Sequence, residues 1–202
     1  MGKMHGVETM RPIETVELVK PLPNSWDRDA TWRSKFLDAL GLRTVRFKPV
    51  LVDVELRLRI CRWWDLARLK TRFDPELLGQ SAGREVRPFR SLLSFRKWLK
   101  STFDLCYLIE IQENGQRRII GFAGFYGVRP KEHVWMSLAI FDADDRRCGY
   151  GSRTVELVCD FLQHETGIKR IFVEVAKRNQ ASLSFFQACS FRPKGDPAGS
   201  LE

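Results

Sequence analysis

Residues 144–152 read DDRRCGYGS, and the apolar-periodic run RTVELVCDFL follows. Two arginines, Arg146 and Arg147, stand ahead of two glycines, Gly149 and Gly151. A helix N-terminus carries unpaired N–H groups and about half a positive charge. Anions bind there when the main chain can come close. Glycine has no Cβ in the way, and arginines at the rim add charge-assisted hydrogen bonds. The turn is thus suited to a phosphate or diphosphate. It is not a P-loop, because GxxxxGK[ST] occurs nowhere in the chain. A dinucleotide fingerprint is also disfavoured: Thr154 stands where the third glycine belongs, and the turn follows hairpin-forming strands. Taken alone, RxxGxG fits a plain glycine-rich helix cap equally well.

A second residue interrupts its surroundings. Glu174 breaks the apolar run IFVEV. Period two places it on the face of Phe172, opposite Ile171, Val173 and Val175. A carboxylate there would be partly desolvated, with a raised pKa useful to a base near neutrality. An edge-facing, solvated Glu fits the pattern as well, and both readings stay open. Glu110, Glu132 and His133 are further candidates. Cys148 lies in the glycine turn, but no matched base accompanies it, so it is read as incidental. The five cysteines are scattered, with no CxxC spacing, as in free thiols of a reducing compartment. The three histidines show no ligand spacing, so no metal is expected.

The elements that must position these residues follow from periodicity. PVLVDVELRLRI alternates, with Val52, Val54, Leu56, Leu58 and Ile60 on one face, and predicts one half-buried strand. RWWDLARLKTRF predicts a helix stopping before Pro75. PFRSLLSFRKWLKS predicts another, with Leu92, Phe95 and Leu99 on its apolar side. Asn114-Gly115 between two strand-like runs marks a hairpin, since a type I′ turn needs positive φ at both positions. HVWMSLAIF is a further strand. Val155, Val158, Cys159 and Leu162 predict a helix after the glycine turn, closed by Gly167. IKRIFVEVA is a strand, and Asn179 caps a last helix. The order is β-α-α-β-β-β-α-β-α, a mixed α/β sheet with at least one parallel crossover. TWRSKFLDALGL could form a short helix closed by Gly41. Residues 1–47 are read as an extension, 48–195 as the domain, and 196–202 as a tail whose Leu201-Glu202 resembles a tag junction.

Arg146-x-x-Gly149-x-Gly151, after a strand and opening a helix, resembles the acyl-CoA loop of the GNAT N-acyltransferase superfamily. EVAKRNQASLSFFQACSF resembles that family's closing segment through Glu174, Asn179, Ser182, Phe186 and Phe191. The resemblance covers about residues 50–192, is most specific over 133–192, and is nearest the ribosomal-protein N-terminal and polyamine acetyltransferase branch. It implies a mostly antiparallel sheet flanked by helices, with a V-shaped splay between two strands at the acyl-CoA site. It implies acetyl-CoA as co-substrate, with its diphosphate held by Arg146, Arg147, Cys148, Gly149, Tyr150, Gly151 and Ser152. The pantetheine arm would lie on the main chain of Ala139, Ile140 and Phe141, with Asn179, Ser182 and Phe186 also contacting the cofactor. Glu174 matches the base of some members. Three positions depart from the family pattern. Phe186 stands where many members carry a proton-donating Tyr, leaving Tyr107, Tyr126, water or an unassisted thiolate. Ser190 replaces a usual Gly. The family usually adds two strands after Phe191; if they are missing, an edge is open that the N-terminal segment or another subunit must cover.

Bulk properties frame the acceptor. The formal charge is +9, and residues 51–100 hold twelve Lys/Arg against six Asp/Glu. A basic 57–100 region could attract an anionic or ribosomal partner, or be only a solvated surface. No apolar run nears the roughly 18 residues of a membrane span, and the start resembles no signal peptide, so a cytoplasmic enzyme is expected. The expected acceptor is a protein N-terminus or a small amine, and a homodimer is compatible. The competing reading is a non-catalytic module of the same fold that binds CoA or an anionic partner.

Overall fold

A computed structural model describes residues 15–22, 48–73 and 89–194. The TWRSKFLDALGL helix and the 196–202 tail lie outside these residues. The strands are β1 (Thr15–Pro21), β2 (Val50–Val52), β3 (Leu56–Ile60), β4 (Leu105–Glu113), β5 (Gln116–Arg129), β6 (His133–Ile140), β7 (Arg170–Ala176) and β8 (Arg192–Pro193). The helices are α1 (Leu66–Arg72), α2 (Leu92–Thr102), α3 (Tyr150–Phe161) and α4 (Gln180–Ala188). The strands form one sheet in the order β2-β3-β4-β5-β6-β7-β1-β8. Every pairing is antiparallel except β6 with β7. This is the mixed, mostly antiparallel α/β architecture that the sequence implies.

Alternation along the strands builds a core on each face. Val134, Met136, Ile171, Val173 and Val175 pack with Val155 and Val158 of α3 and Phe186 of α4. On the other face Phe122, Ala139 and Phe141 pack with Leu66 and Leu69 of α1 and Phe95 and Leu99 of α2. Leu92 does not join them, since it is exposed at the first position of α2. The Asn114-Gly115 turn has φ of 50° and 76°, as the hairpin requires. α3 widens into a π turn over Leu162–Thr166 and ends at Gly167, φ 74°.

The expected single strand over 49–60 is a hairpin instead. Asp53 N–H donates to Leu56 O at 2.8 Å, and β2 folds back on β3. The turn keeps the two-residue period, so alternation survives in sequence while Val52 and Val54 turn outward to solvent. Arg153 of α3 holds the turn through Asp53 (2.8 Å) and Glu55 (3.3 Å). β3, β4 and the start of α1 are joined by an ionic cluster. Arg57 and Arg59 bind Glu110, and Arg59 also forks onto Asp65 at 2.7 and 2.8 Å.

A strand the sequence reading did not predict closes the other side. β1, from the N-terminal segment, pairs with β7 from Thr15↔Ala176 to Pro21↔Arg170. Its far edge takes the two-residue β8. The edge of β7 that the sequence leaves in question is therefore covered by the chain's own N-terminal segment.

Candidate active site

β6 and β7 pair only at His133↔Arg170, Val134↔Ile171 and Trp135↔Phe172. Beyond Trp135 both strands continue, to Ile140 and Ala176, without pairing. They open a cleft lined by Met136, Ser137 and Leu138 on one side and Val173, Glu174 and Val175 on the other, with Ser182 and Phe186 of α4. Phe141 N–H donates to Ile120 O on β5 at 2.9 Å. Because alternate residues of a strand address opposite neighbours, Ala139 and Phe141 direct their main-chain groups at β5. Ile140 and Leu138 direct theirs into the gap that β7 leaves. Of the three sequence candidates, Ile140 has this geometry, and Leu138 is the residue the sequence reading missed.

The glycine turn sits at the end of β6. Gly149 is the N-cap of α3 at φ 83°, and a Cβ built there meets nothing within 4 Å. Its bare Cα thus faces open space beside the free N–H groups of the first turn at Tyr150, Gly151 and Ser152. Gly151 has a different reason to be glycine: its Cβ would come within 3.1 Å of the Phe185 ring. It lets α4 approach α3. Arg146 points back along β6, donating to Ile140 O (3.1 Å) and Phe141 O (2.7 Å). It fixes the turn's position, and the free rim cation of the sequence reading is Arg147, exposed at φ 63°. Cys148 is exposed, its Sγ 3.3 Å from Asp144 O. Tyr150 is half-buried against the core, and Ser152 lies 3.9 Å from the Cys189 thiol. The preceding turn is anchored by Arg118 on Asp145 (2.7 and 2.9 Å) and Arg72 on Asp142 (2.6 Å).

Asn179 accepts from Ser182 N–H at 3.1 Å through its side-chain oxygen, so it caps α4 while its amide nitrogen stays available. Phe186 is 5% exposed and packs edge-on against Phe185 and Phe191. It contributes a wall, and among the described cleft residues Ser137 and Ser182 carry hydroxyls.

Glu174 is exposed, not desolvated as the first of the two sequence readings required. Its neighbours on β1 are the polar Thr15 and Glu17. Thr15 Oγ1 donates to Glu174 Oε1 at 2.8 Å, and Glu17 is its cross-strand partner. Burial first, then the charges of Glu174 and Glu17, push the Tyr126 hydroxyl up to about 12. Tyr107 is not available, being fully buried with its hydroxyl donating to Lys48 O. Glu110 is held in the arginine cluster, and His133 packs edge-on against Phe172 at 5.3 Å. Glu132 lies 3.8 Å from the His133 imidazole.

The strand pair thus parts in mid-course beside a glycine-opened helix N-terminus. The Acetyltransferase (GNAT) family model matches residues 63–191, and the chain belongs to that family. It is accordingly an N-acetyltransferase, of a family whose co-substrate is acetyl-CoA. Among solved structures, a probable GNAT acetyltransferase from Chromobacterium violaceum is similar at 17% identity and TM-score 0.56, covering 86% of this chain and 84% of that one. A GNAT-family acetyltransferase from Bacillus anthracis is similar at 14% identity and TM-score 0.57, covering 72% and 85%. RimL, a ribosomal L7/L12 alpha-N-protein acetyltransferase solved with coenzyme A, is similar at 18% identity and TM-score 0.54, covering 69% and 82%. These likenesses concern the fold. No curated protein matches the chain. Among the described residues no helix is long and apolar enough to cross a membrane. No group of three or more His, Cys, Asp or Glu among them could hold a metal.

Proposed function

We propose that the protein transfers an acetyl group from acetyl-CoA to a primary amine by direct attack. The observation that carries this is the parting of β6 from β7 after Trp135↔Phe172, next to the open Gly149 cap. The diphosphate would lie on the N–H groups of the first turn of α3, with Arg147 at the rim. The pantetheine would run along β6, bonded to the main chain of Leu138 and Ile140. Asn179 supplies a further donor from α4. A main-chain N–H facing the cleft can hold the thioester oxygen as negative charge develops on it.

The amine must shed its proton to attack. Glu174 takes that proton in this account, positioned by Thr15 and exposed enough to pass it on to solvent. The departing thiolate needs a hydrogen-bond donor that Phe186 lacks. Ser182, one turn earlier on α4 and lining the same cleft, offers its hydroxyl.

The test is thiol release from acetyl-CoA across a panel of amines, paired with an acetyl-CoA-dependent thermal shift. Glu174→Gln should slow turnover by about a hundredfold near neutrality and leave the thermal shift intact. An unchanged rate removes Glu174 from the mechanism.

A further inference from the structure

Beside the cleft, on the face that carries Glu174, an ammonium group is already seated. Lys194 follows β8, and its N–H donates to Glu17 O at 2.9 Å, which fixes it alongside β1. Its side chain reaches over the sheet. Lys194 Nζ lies 2.5 Å from Glu17 Oε2, 5.5 Å from the centre of the Phe172 ring and 6.0 Å from that of Trp135. Trp135 and Phe172 are the last paired residues before the strands part, and their rings stack at 5.1 Å. Tyr126 extends the stack at 6.1 Å from Trp135. A carboxylate facing an aromatic wall is a recognition site for a cation, because the ring faces carry negative potential. Arg170, 6.0 Å from the Phe172 ring, is a second cation there, while Glu174 and Glu17 supply the negative charge.

Resting on the acetyltransferase reading, we propose that Glu17, Trp135 and Phe172 form the acceptor's ammonium subsite, and that Lys194 occupies it as an internal stand-in until an acceptor displaces it. The acceptor class is then a cationic primary amine on a slender alkyl stem, the shape that lysine itself presents. The Lys194–Glu17 pair is easily displaced: the two side chains are 55% and 41% exposed, and exposed ion pairs are weak. The subsite also reconciles a basic protein with a cationic acceptor. The net charge is +9, but once Lys194 is displaced the Glu17 and Glu174 carboxylates outnumber the Arg170 guanidinium beside Phe172. Since Glu17 comes from β1, the N-terminal segment does more than close the sheet. It supplies the group that selects the substrate.

The probe is n-butylammonium, which reproduces the lysine side chain, titrated by calorimetry into the full chain with CoA present. Lys194→Met keeps the apolar cover and removes the competitor, so butylammonium should bind that variant about threefold more tightly than wild type. Adding Glu17→Gln should weaken it about fivefold again. KM for the same amine in thiol release should follow these changes with kcat held. Equal affinity with and without Glu17→Gln, or no saturable butylammonium binding to Lys194→Met, overturns the subsite. The acetyl-CoA thermal shift reports separately on the underlying reading. If the shift and turnover persist while butylammonium binding is insensitive to Glu17, the subsite fails alone. If the wild type shows no shift, the acetyl-CoA reading fails whatever the amine data show.

Discussion

Replacing Gly149 with alanine separates backbone strain from ligand contact. Gly149 sits at φ 83°, where an L-residue costs about 1 kcal/mol. Nothing in the protein lies within 4 Å of the added Cβ, so strain is the whole cost to the free enzyme. For a chain of this size that lowers Tm by about 2–4 °C. The methyl group projects into open space, where the proposed site puts the diphosphate on the α3 N-terminus. Losing one hydrogen bond to a charged group forfeits about 1.5–3 kcal/mol, or roughly tenfold to a hundredfold in Kd. Gly115 is the control. Its φ is 76°, its Cβ also meets nothing within 4 Å, and it lies in the β4–β5 hairpin turn. Gly115→Ala should lose the same stability and keep its acetyl-CoA affinity. Thermal melts and calorimetric titration of both variants decide the matter. If Gly149→Ala binds acetyl-CoA within twofold of Gly115→Ala, the assignment of the diphosphate to this turn is refuted.

Other expectations concern the framework and the thiols. Asp65→Asn should cost about 3 kcal/mol in denaturant melts, because Asp65 is 4% exposed and answers the Arg59 guanidinium. Burial raises the Asp65 carboxyl, but the bonds from Arg59 and the Arg62 N–H outweigh it and hold the group below its ordinary value. Its contribution is present above the unfolded pKa of about 3.9 and is lost as pH falls through the lower folded value. The acid loss of stability should therefore be shallower in Asp65→Asn than in wild type. At alkaline pH the sign reverses: burial holds Cys159 up at about 11 and Tyr126 at about 12, so unfolded chains ionise first. Stability should fall as pH rises above about 8.5, the unfolded thiol value, and Cys159→Ala should make that fall shallower, with Cys106 and Cys189, also held up in the folded protein, supplying the rest. Cys148 is exposed whereas Cys106 and Cys159 are buried, so maleimide should label Cys148 first among these three. Acetyl-CoA at ten times its Kd should slow that labelling about tenfold.

The glycine turn was legible because local geometry alone demands it: a residue at φ 83° and a helix opening on free N–H groups. The Asn114-Gly115 hairpin was legible for the same reason. What escaped depends on distant partners. Thr15 meets Glu174 across 159 residues, and no period in either segment announces that register. TVELVKP alternates over only a few positions before Pro21, too short a run to assign a strand to, or to place beside β7. The polar partners of Glu174, Thr15 and Glu17, come from that strand, so the run IFVEV could not disclose them. The β2–β3 hairpin escaped because its turn preserves the alternation of a continuous strand. The close approach of the Phe185 ring of α4 to Gly151 also lay outside what the sequence shows, because it is set by packing between two helices.

In the proposed binding mode acyl-CoA enters where β6 and β7 part, with its diphosphate on the N-terminus of α3. A crystal structure with CoA bound is the sharpest check. Diphosphate oxygens should lie within hydrogen-bonding distance of the N–H groups of Tyr150, Gly151 and Ser152, and the thiol in the cleft between Leu138 and Glu174. A second cleft, of about 790 Å³, is walled by Arg68, Arg72, Arg117 and Arg118 together with Glu110 and Glu113. Diphosphate found there, with the α3 turn unoccupied, would contradict that binding mode.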